Sequence, residues 1–313
     1  MTAAIEHFEG PEKKLEIILN SPCSNLRSNQ DGRWERVVNA SRSHIISSIS
    51  AEGVDAYLLS ESSLFVWEDR ILMITCGKTT LVNAVPEILR LTGRRNVARL
   101  FYERKNMLYP DQQSTQFDDD VARLADFFSG RAHLLGAAAD DHVHLYSAGA
   151  GAPQPPGQAT LQVLMHDLAP AVQACFSVRR AGTAARAETL CGLDRVYPDM
   201  ARDSHLFSPH GYSANAVAGK SYHTVHVTPQ PQNSYASFET NRFERDYAGT
   251  LHQVVSIFKP RRLMVLVTTA RKSLGPQPHP SANATLQGYR LTRSDRHDFD
   301  CGTTVSISNH TCV

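Results

Sequence analysis

Residues 148–158 read AGAGAPQPPGQ, a Gly- and Pro-rich run that sustains neither a helix nor a strand. It parts the chain into two stretches of similar patterning. Before it, strands are expected over 14–19, 54–59, 63–67, 70–75, 97–102, 132–136 and 142–146. Helices are expected over 33–49, where Trp34, Val37, Val38, Ile45 and Ile49 fall at helical spacing, over 81–91 despite Pro86, and over 118–128. After it, strands are expected at 160–165, 222–228, 234–239, 262–268, 286–292 and 303–308. A short helix is expected near 169–176, and Phe243, Tyr247, Leu251, Val254 and Phe258 mark a longer one. Residues 271–284 read as a loose loop. Each half therefore repeats strands, a helix and a further strand, which predicts an α+β fold of two similar layers. Direct sequence similarity between the halves is too weak to establish a duplication.

The 313 residues suffice for one large domain or two ordinary ones, and 42% hydrophobic with 20% charged residues is ordinary globular composition. A formal net charge of +1 points to neither nucleic acid nor an anionic membrane. No apolar run is long enough to span a bilayer, and Met1–Glu9 has no secretory pattern. The 6 cysteines are widely and irregularly spaced. They read as reduced thiols in a cytoplasmic protein, where the sequons at Asn39, Asn283 and Asn309 are chance matches.

The segment richest in chemical meaning is Tyr57-Leu-Leu-Ser-Glu-Ser-Ser-Leu-Phe-Val66, followed by Ile74-Thr-Cys-Gly77. In isolation it is a polar turn between two strands. A serine hydroxyl can nevertheless attack the preceding carbonyl where the backbone is strained. Elimination from the resulting ester turns the serine into a pyruvoyl group, whose ketone condenses with an amine and withdraws electrons. Taken singly, Cys76 would be a small buried residue, His226 a satisfied sheet histidine, and Phe8 and Phe207 core.

Four blocks in order carry a resemblance: Phe8-Glu-Gly-Pro-Glu-Lys-Lys-Leu-Glu16; the Ser-Glu-Ser-Ser block with Thr75-Cys76-Gly77; Pro209-His-Gly-Tyr-Ser213; and His226-Val-Thr-Pro229 with Ser234-Tyr-Ala-Ser-Phe-Glu-Thr-Asn241. From Phe8 to about Pro260 the chain resembles the eukaryotic-type S-adenosylmethionine decarboxylases. The resemblance implies a single domain over 1–313, a four-layer αββα sandwich of two antiparallel sheets with pseudo-duplicated halves of about 1–150 and 159–313. It implies cleavage at Glu61–Ser62, with Ser62 becoming the pyruvoyl, and neither metal nor pyridoxal phosphate. The partners it implies are S-adenosylmethionine and the small and large chains of the cleaved precursor. Monomer and homodimer both stay open.

By the same resemblance, Ser213 and His226 are the processing pair, with His226 taking the α-proton. Cys76 is the proton donor after carbon dioxide leaves. Phe8 and Phe207 hold the adenine and attract the sulfonium, and Glu9, Glu12 and Glu61 complete the substrate side. The chain departs from the family at Gln230, where a glutamate binds the ribose, and at His210, where animal members carry Cys. Weaker ribose binding leaves room for another substrate.

Animal members hold a diamine activator with acidic residues where this chain has Gln158 and Gln162; Glu16 and Glu239 remain. Ile74 replaces a lysine, and Lys14 replaces a leucine. Plant members, not activated by putrescine, carry a basic residue at the Lys14 position. Lys14 leaves the same strand face as Glu16, so it is expected to substitute for one end of the diamine; the alternative is a solvated lysine on an edge strand. Three functions follow: the decarboxylase of S-adenosylmethionine in spermidine synthesis, a pyruvoyl decarboxylase of another amino acid such as ornithine or arginine, or a non-catalytic regulatory paralogue. Intact Ser62, Cys76, Ser213 and His226 oppose the third; Gln230 is the main support for the second, and Phe8 and Phe207 oppose it.

Overall fold

The computed structural model describes residues 8–149, 159–270 and 286–313. Gln158 and the loose loop at 271–284 lie outside them. Among the described residues sixteen strands form two antiparallel sheets. The first contains β1 (Lys13–Leu19), β2 (Ile45–Ser50), β3 (Asp55–Leu59), β4 (Ser62–Val66), β5 (Arg70–Thr75), β6 (Val97–Lys105), β7 (Gly130–Gly136) and β8 (His142–Ala148). Its order is β2-β3-β4-β5-β1-β6-β8-β7. The second contains β9 (Ala159–Leu168), β10 (Ala201–Leu206), β11 (Tyr212–Ala218), β12 (Ser221–Thr228), β13 (Tyr235–Thr240), β14 (Pro260–Ala270), β15 (Tyr289–Asp298) and β16 (Thr303–Cys312). Its order, β10-β11-β12-β13-β9-β14-β16-β15, repeats the first strand for strand.

Period-2 alternation gives each sheet two buried faces. Leu15, Ile17, Leu64, Val66, Ile71 and Met73 join Trp34, Val37 and Val38 of α1 (Arg33–Ala40), Val85 and Ile88 of α2 (Ala84–Thr92), and Leu124 of α3 (Phe117–Ala125). On the second sheet, Leu161, Val163, Val225 and Phe238 pack on α4 (Pro170–Cys175), α5 (Val178–Ala181), α6 (Ala184–Cys191) and α7 (Ala248–Phe258). The opposite faces meet each other. Phe101 and Leu145 pack with Leu164 and Met264, and Phe65, Leu72 and Ile74 with Val217 and Tyr222. The layers thus run helix, sheet, sheet, helix.

The expected helix over 33–49 is two elements. It stops at Ala40; the Ser41 hydroxyl donates to the Val38 carbonyl at 2.7 Å, and Arg42 turns the chain with φ 66°. Ile45 and Ile49 belong to β2. A spacing of four residues satisfies both a helix and one face of a strand, and five apolar positions do not separate the two. The helix expected from Phe243 begins at Ala248, and Phe243 is 57% exposed. Pro86 lies in the first turn of α2, where its missing N–H removes no intrahelical bond. The last hairpin runs further than expected, over Tyr289–Asp298 and Thr303–Cys312. Helices α5 and α6 and strands β10 and β11 escaped the pattern entirely; Tyr-Ser-Ala-Asn-Ala-Val-Ala is too small and polar to read as a strand. Among the described residues no helix is long and apolar enough to cross a membrane.

Candidate active site

Strands β3 and β4 form a hairpin closed by Ser60 and Glu61, with Leu59 opposite Ser62. Tight hairpins of this kind favour Gly or Asn, because they require positive φ. Neither is present. The positive φ falls instead on Ser62, at 129°, a region L-residues occupy at a cost. Strict alternation would put Ser62 on the helix-facing side with Leu64 and Val66. Its hydroxyl instead lies 3.5 Å from the Cys76 sulfur, beyond the end of β5.

The Glu61 carbonyl accepts from the Cys76 backbone N–H at 2.9 Å, with the Cys76 thiol 3.5 Å away. A carbonyl so held is polarised, and charge developing on its oxygen meets a fixed donor. Burial pushes the Cys76 thiol well up, and Glu61 adds to the shift. Cys76 therefore keeps its proton at neutral pH. Burial also pushes the Glu61 carboxyl up to about 7, against the charge of Lys13. Its Oε2 is buried without a partner.

Ser213 and His226 are cross-strand neighbours on β11 and β12. His226 Nδ1 lies 2.7 Å from Glu12 Oε1 and its Nε2 lies 2.9 Å from the Ser63 hydroxyl. The histidine thus meets the hydroxyl of Ser63, the second residue beyond the expected scission point. Glu12 sits behind the ring, and Ser237 donates to the same oxygen at 2.6 Å. Burial would raise the Glu12 carboxyl, but the hydrogen bond and charge of His226 outweigh it and hold it low.

A cavity of about 650 Å³ opens over this cluster, within the range of small-molecule sites. Its walls bring together Phe8, Glu9, Glu61, Ser62, Cys76, Phe207, Ser213, His226 and Gln230. Glu9 accepts from the backbone N–H groups of Leu108 and Tyr109, each at 2.8 Å. Gln230 keeps Oε1 buried without a protein partner. Gly77, at φ 63°, packs so closely that an added Cβ would stand 2.8 Å from Glu61 Oε2 and 3.2 Å from the Phe8 ring. Lys13 donates to the Gly77 carbonyl at 3.1 Å and to Gln113 at 2.7 Å, and burial lowers its ammonium to about 8. Among the described residues no group of three His, Cys, Asp or Glu side chains is placed to hold a metal.

Deeper between the sheets, Lys14 bonds Glu239 at 2.9 Å and lies 3.8 Å from Glu103. Lys105 pairs with Glu103 at 2.5 Å and donates to Gln162 at 2.8 Å. Tyr222 donates to Glu239. Glu16, expected to share Lys14, is paired with Arg70 at 2.6 Å. Ile74 is apolar filling beside Phe65 and Tyr222. Burial would lower the Lys14 ammonium, yet Glu103, Glu239 and Glu16 hold it above its usual value. Burial would likewise raise Glu103, yet Lys105 and Lys14 bring it to about 2.

Sequence reading missed Ser63, Asn215, Thr224 and Ser237 around His226, and Arg70, Glu103 and Lys105 in the ion cluster. The available signal was parity: on β6, Glu103 and Lys105 share a face with the buried Phe101, which is no place for unpaired charge.

The sequence profile of the adenosylmethionine decarboxylase family matches residues 5–310. An S-adenosylmethionine decarboxylase proenzyme of Dictyostelium discoideum is 32% identical, over 97% of this chain and 85% of its own length. One of Drosophila melanogaster is 35% identical, over 92% and 90%. In fold, the chain is similar to the crystal structure of Trypanosoma brucei AdoMetDC-delta26 monomer, with TM-score 0.63 and 24% identity, covering 80% of this chain and 99% of that one.

Proposed function

The chain belongs to the adenosylmethionine decarboxylase family, and from that premise we propose how its residues carry out the reaction. It is a carboxy-lyase that removes carbon dioxide from S-adenosylmethionine, giving the decarboxylated form used in polyamine biosynthesis.

We infer that it first cuts itself. Ser62 Oγ attacks the Glu61 carbonyl carbon, the C–N bond breaks, and an ester joins the two residues. The Cys76 N–H steadies the oxygen as charge builds. The Ser213–His226 side receives the Ser62 α-proton, and Glu61 departs as a carboxylate. Water then releases ammonia and leaves a pyruvoyl group at Ser62. The observation carrying this reading is the positive φ of Ser62 beside a Glu61 carbonyl already held by Cys76 N–H. After the cut the small chain would stay bound through β1, which is hydrogen-bonded between β5 and β6.

The pyruvoyl group supplies the electron sink for decarboxylation. Phe8 and Phe207 flank the cavity for the adenine and sulfonium. Gln230 offers an uncharged hydrogen-bonding group to the ribose. Cys76, held protonated, returns a proton to the α-carbon. All six cysteines are unpaired, which fits a reducing, cytoplasmic setting.

Denaturing electrophoresis and mass spectrometry test the cleavage. The purified protein should give a small chain ending at Glu61 and a large chain with a blocked N-terminus, whereas Ser62→Ala stays full length. Labelled carbon dioxide should be released from S-adenosylmethionine and not from ornithine or arginine. A wild-type chain that remains intact and fully active would overturn the reading.

A further inference from the structure

Asn215 lies at the centre of β11, with no exposed surface, and spans the two sheets. Its Nδ2 donates to the Tyr57 carbonyl at 3.1 Å. A carbonyl can only accept, so this contact fixes which way the amide points. Asn215 Oδ1 therefore faces Ser63 Oγ at 2.6 Å and Thr224 Oγ1 at 3.0 Å.

An amide oxygen has no proton to give. At 2.6 Å the Ser63 hydroxyl must be the donor. Thr224 likewise sends its hydrogen away from the histidine, toward Asn215 Oδ1 or the Ala214 carbonyl, both at 3.0 Å. The lone pairs of both hydroxyls are left facing His226 Nε2, at 2.9 Å and 3.1 Å. Only an N–H satisfies them there. On the other side of the ring, Nδ1 meets Glu12 Oε1 at 2.7 Å, and that oxygen also takes the Ser237 hydroxyl. The remaining Glu12 oxygen has the Tyr235 hydroxyl 3.4 Å away.

We propose that Asn215 is a positioning residue for self-cleavage: through Ser63 and Thr224 it makes Nε2 of His226 a hydrogen donor in the uncut chain. His226 cannot accept the Ser62 α-proton at Nε2 until that hydrogen leaves. Asn215 thus holds Nε2 as an ordered donor while the acyl group moves; once the Ser63 hydroxyl turns away from Asn215, the Nε2 hydrogen passes to water in the cavity, the ring keeps its Nδ1 hydrogen on Glu12, and the freed Nε2 takes the Ser62 α-proton. The proposal rests on the self-cleavage reading for its role in catalysis. The hydrogen position itself is a property of the uncut chain.

The test separates the two. Histidine-15N-labelled Ser62→Ala protein, which cannot cut, is examined by NMR, with His226→Gln identifying the ring signals. Nε2 should carry a hydrogen, and Asn215→Ala should remove it. Should that variant fail to fold, Ser63→Ala, which deletes the first relay hydroxyl, is examined in its place. In the cleavable chain, Asn215→Ala and Ser63→Ala should each slow cutting about tenfold or more, the scale of one hydrogen bond to a charged group. The double variant should be no slower than the slower single one. An unprotonated Nε2 in the Ser62→Ala chain, or additive slowing in the double variant, overturns the proposal. A chain that never cuts but shows the protonated Nε2 overturns only the cleavage reading.

Discussion

At Ser62 one torsion angle links stability to chemistry. Ser62→Ala and Ser62→Gly both remove the nucleophile, but only glycine adopts φ 129° freely. Urea unfolding should find Ser62→Gly more stable than Ser62→Ala by about 1 kcal/mol, despite glycine's greater freedom when unfolded. Equal stability would show that the angle stores no strain. Glu61 gives a pH test. Its ordinary value is 4.5 and burial lifts it to about 7. Between those values the folded chain keeps a proton that the unfolded chain has released, so stability falls as pH rises through this window. In the Ser62→Ala background, Glu61→Gln should flatten that slope. Cys76 separates backbone from side chain. Cys76→Ala keeps the N–H on the Glu61 carbonyl and loses the thiol. Cutting should survive while turnover of S-adenosylmethionine drops about 100-fold, the scale of a general acid. Loss of cutting instead would assign the thiol to processing.

Among the elements, β1 and even the site-bearing β4 and β12 were legible, whereas β10 and β11 were not. β1 reads clearly because Leu15, Ile17 and Leu19 mark its helix-facing side. β11 does not, because its inward residues Ser213 and Asn215 are polar although buried, and Asn215 uses its amide for hydrogen bonds to Tyr57 and Ser63. The resemblance located Ser213 but gave no reason to look two residues further on. Buried polar clusters are hidden in the same way. Tyr102, Arg104 and Thr115 all direct hydrogens to Asp120, at 2.5, 2.8 and 2.7 Å, docking α3 on β6. Asp120 is the last of three consecutive aspartates on α3, and nothing in the sequence singles it out. Asp120→Ala leaves Arg104 buried and unpaired, and should cost about 3–5 kcal/mol. A thermal melt within a degree of wild type would show that α3 docks by its apolar face alone.

Across the whole molecule, the two sheets share one strand order, and the site draws on equivalent positions: Ser62 begins β4 and His226 lies on β12, its counterpart. The halves thus match in strand order, and the site is assembled where they face each other. That facing surface also buries charge. Lys14, Arg70 and Lys105 stand against Glu16, Glu103 and Glu239. Three cations balance three carboxylates, so a bound dication would leave the cluster with excess positive charge, which burial penalises. The resemblance leads to the expectation that Lys14 is a replacement cation. It could not show that Arg70 takes Glu16 and frees Lys14 for Glu239, because that exchange depends on which side chains the sheets bring together. The expected consequence is independence from diamines: putrescine should change neither the rate of cutting nor turnover of S-adenosylmethionine. Lys14→Leu removes one cation and leaves Glu239 without its ion pair, so it should destabilise the fold by about 3–5 kcal/mol and impair turnover. Putrescine should then restore part of both, since its charge can enter the space vacated. Strong stimulation of the wild type would mean that the cluster has room for a further cation. A fully active Lys14→Leu chain would mean that Arg70 and Lys105 suffice, and that charge balance here is a matter of folding rather than of activity.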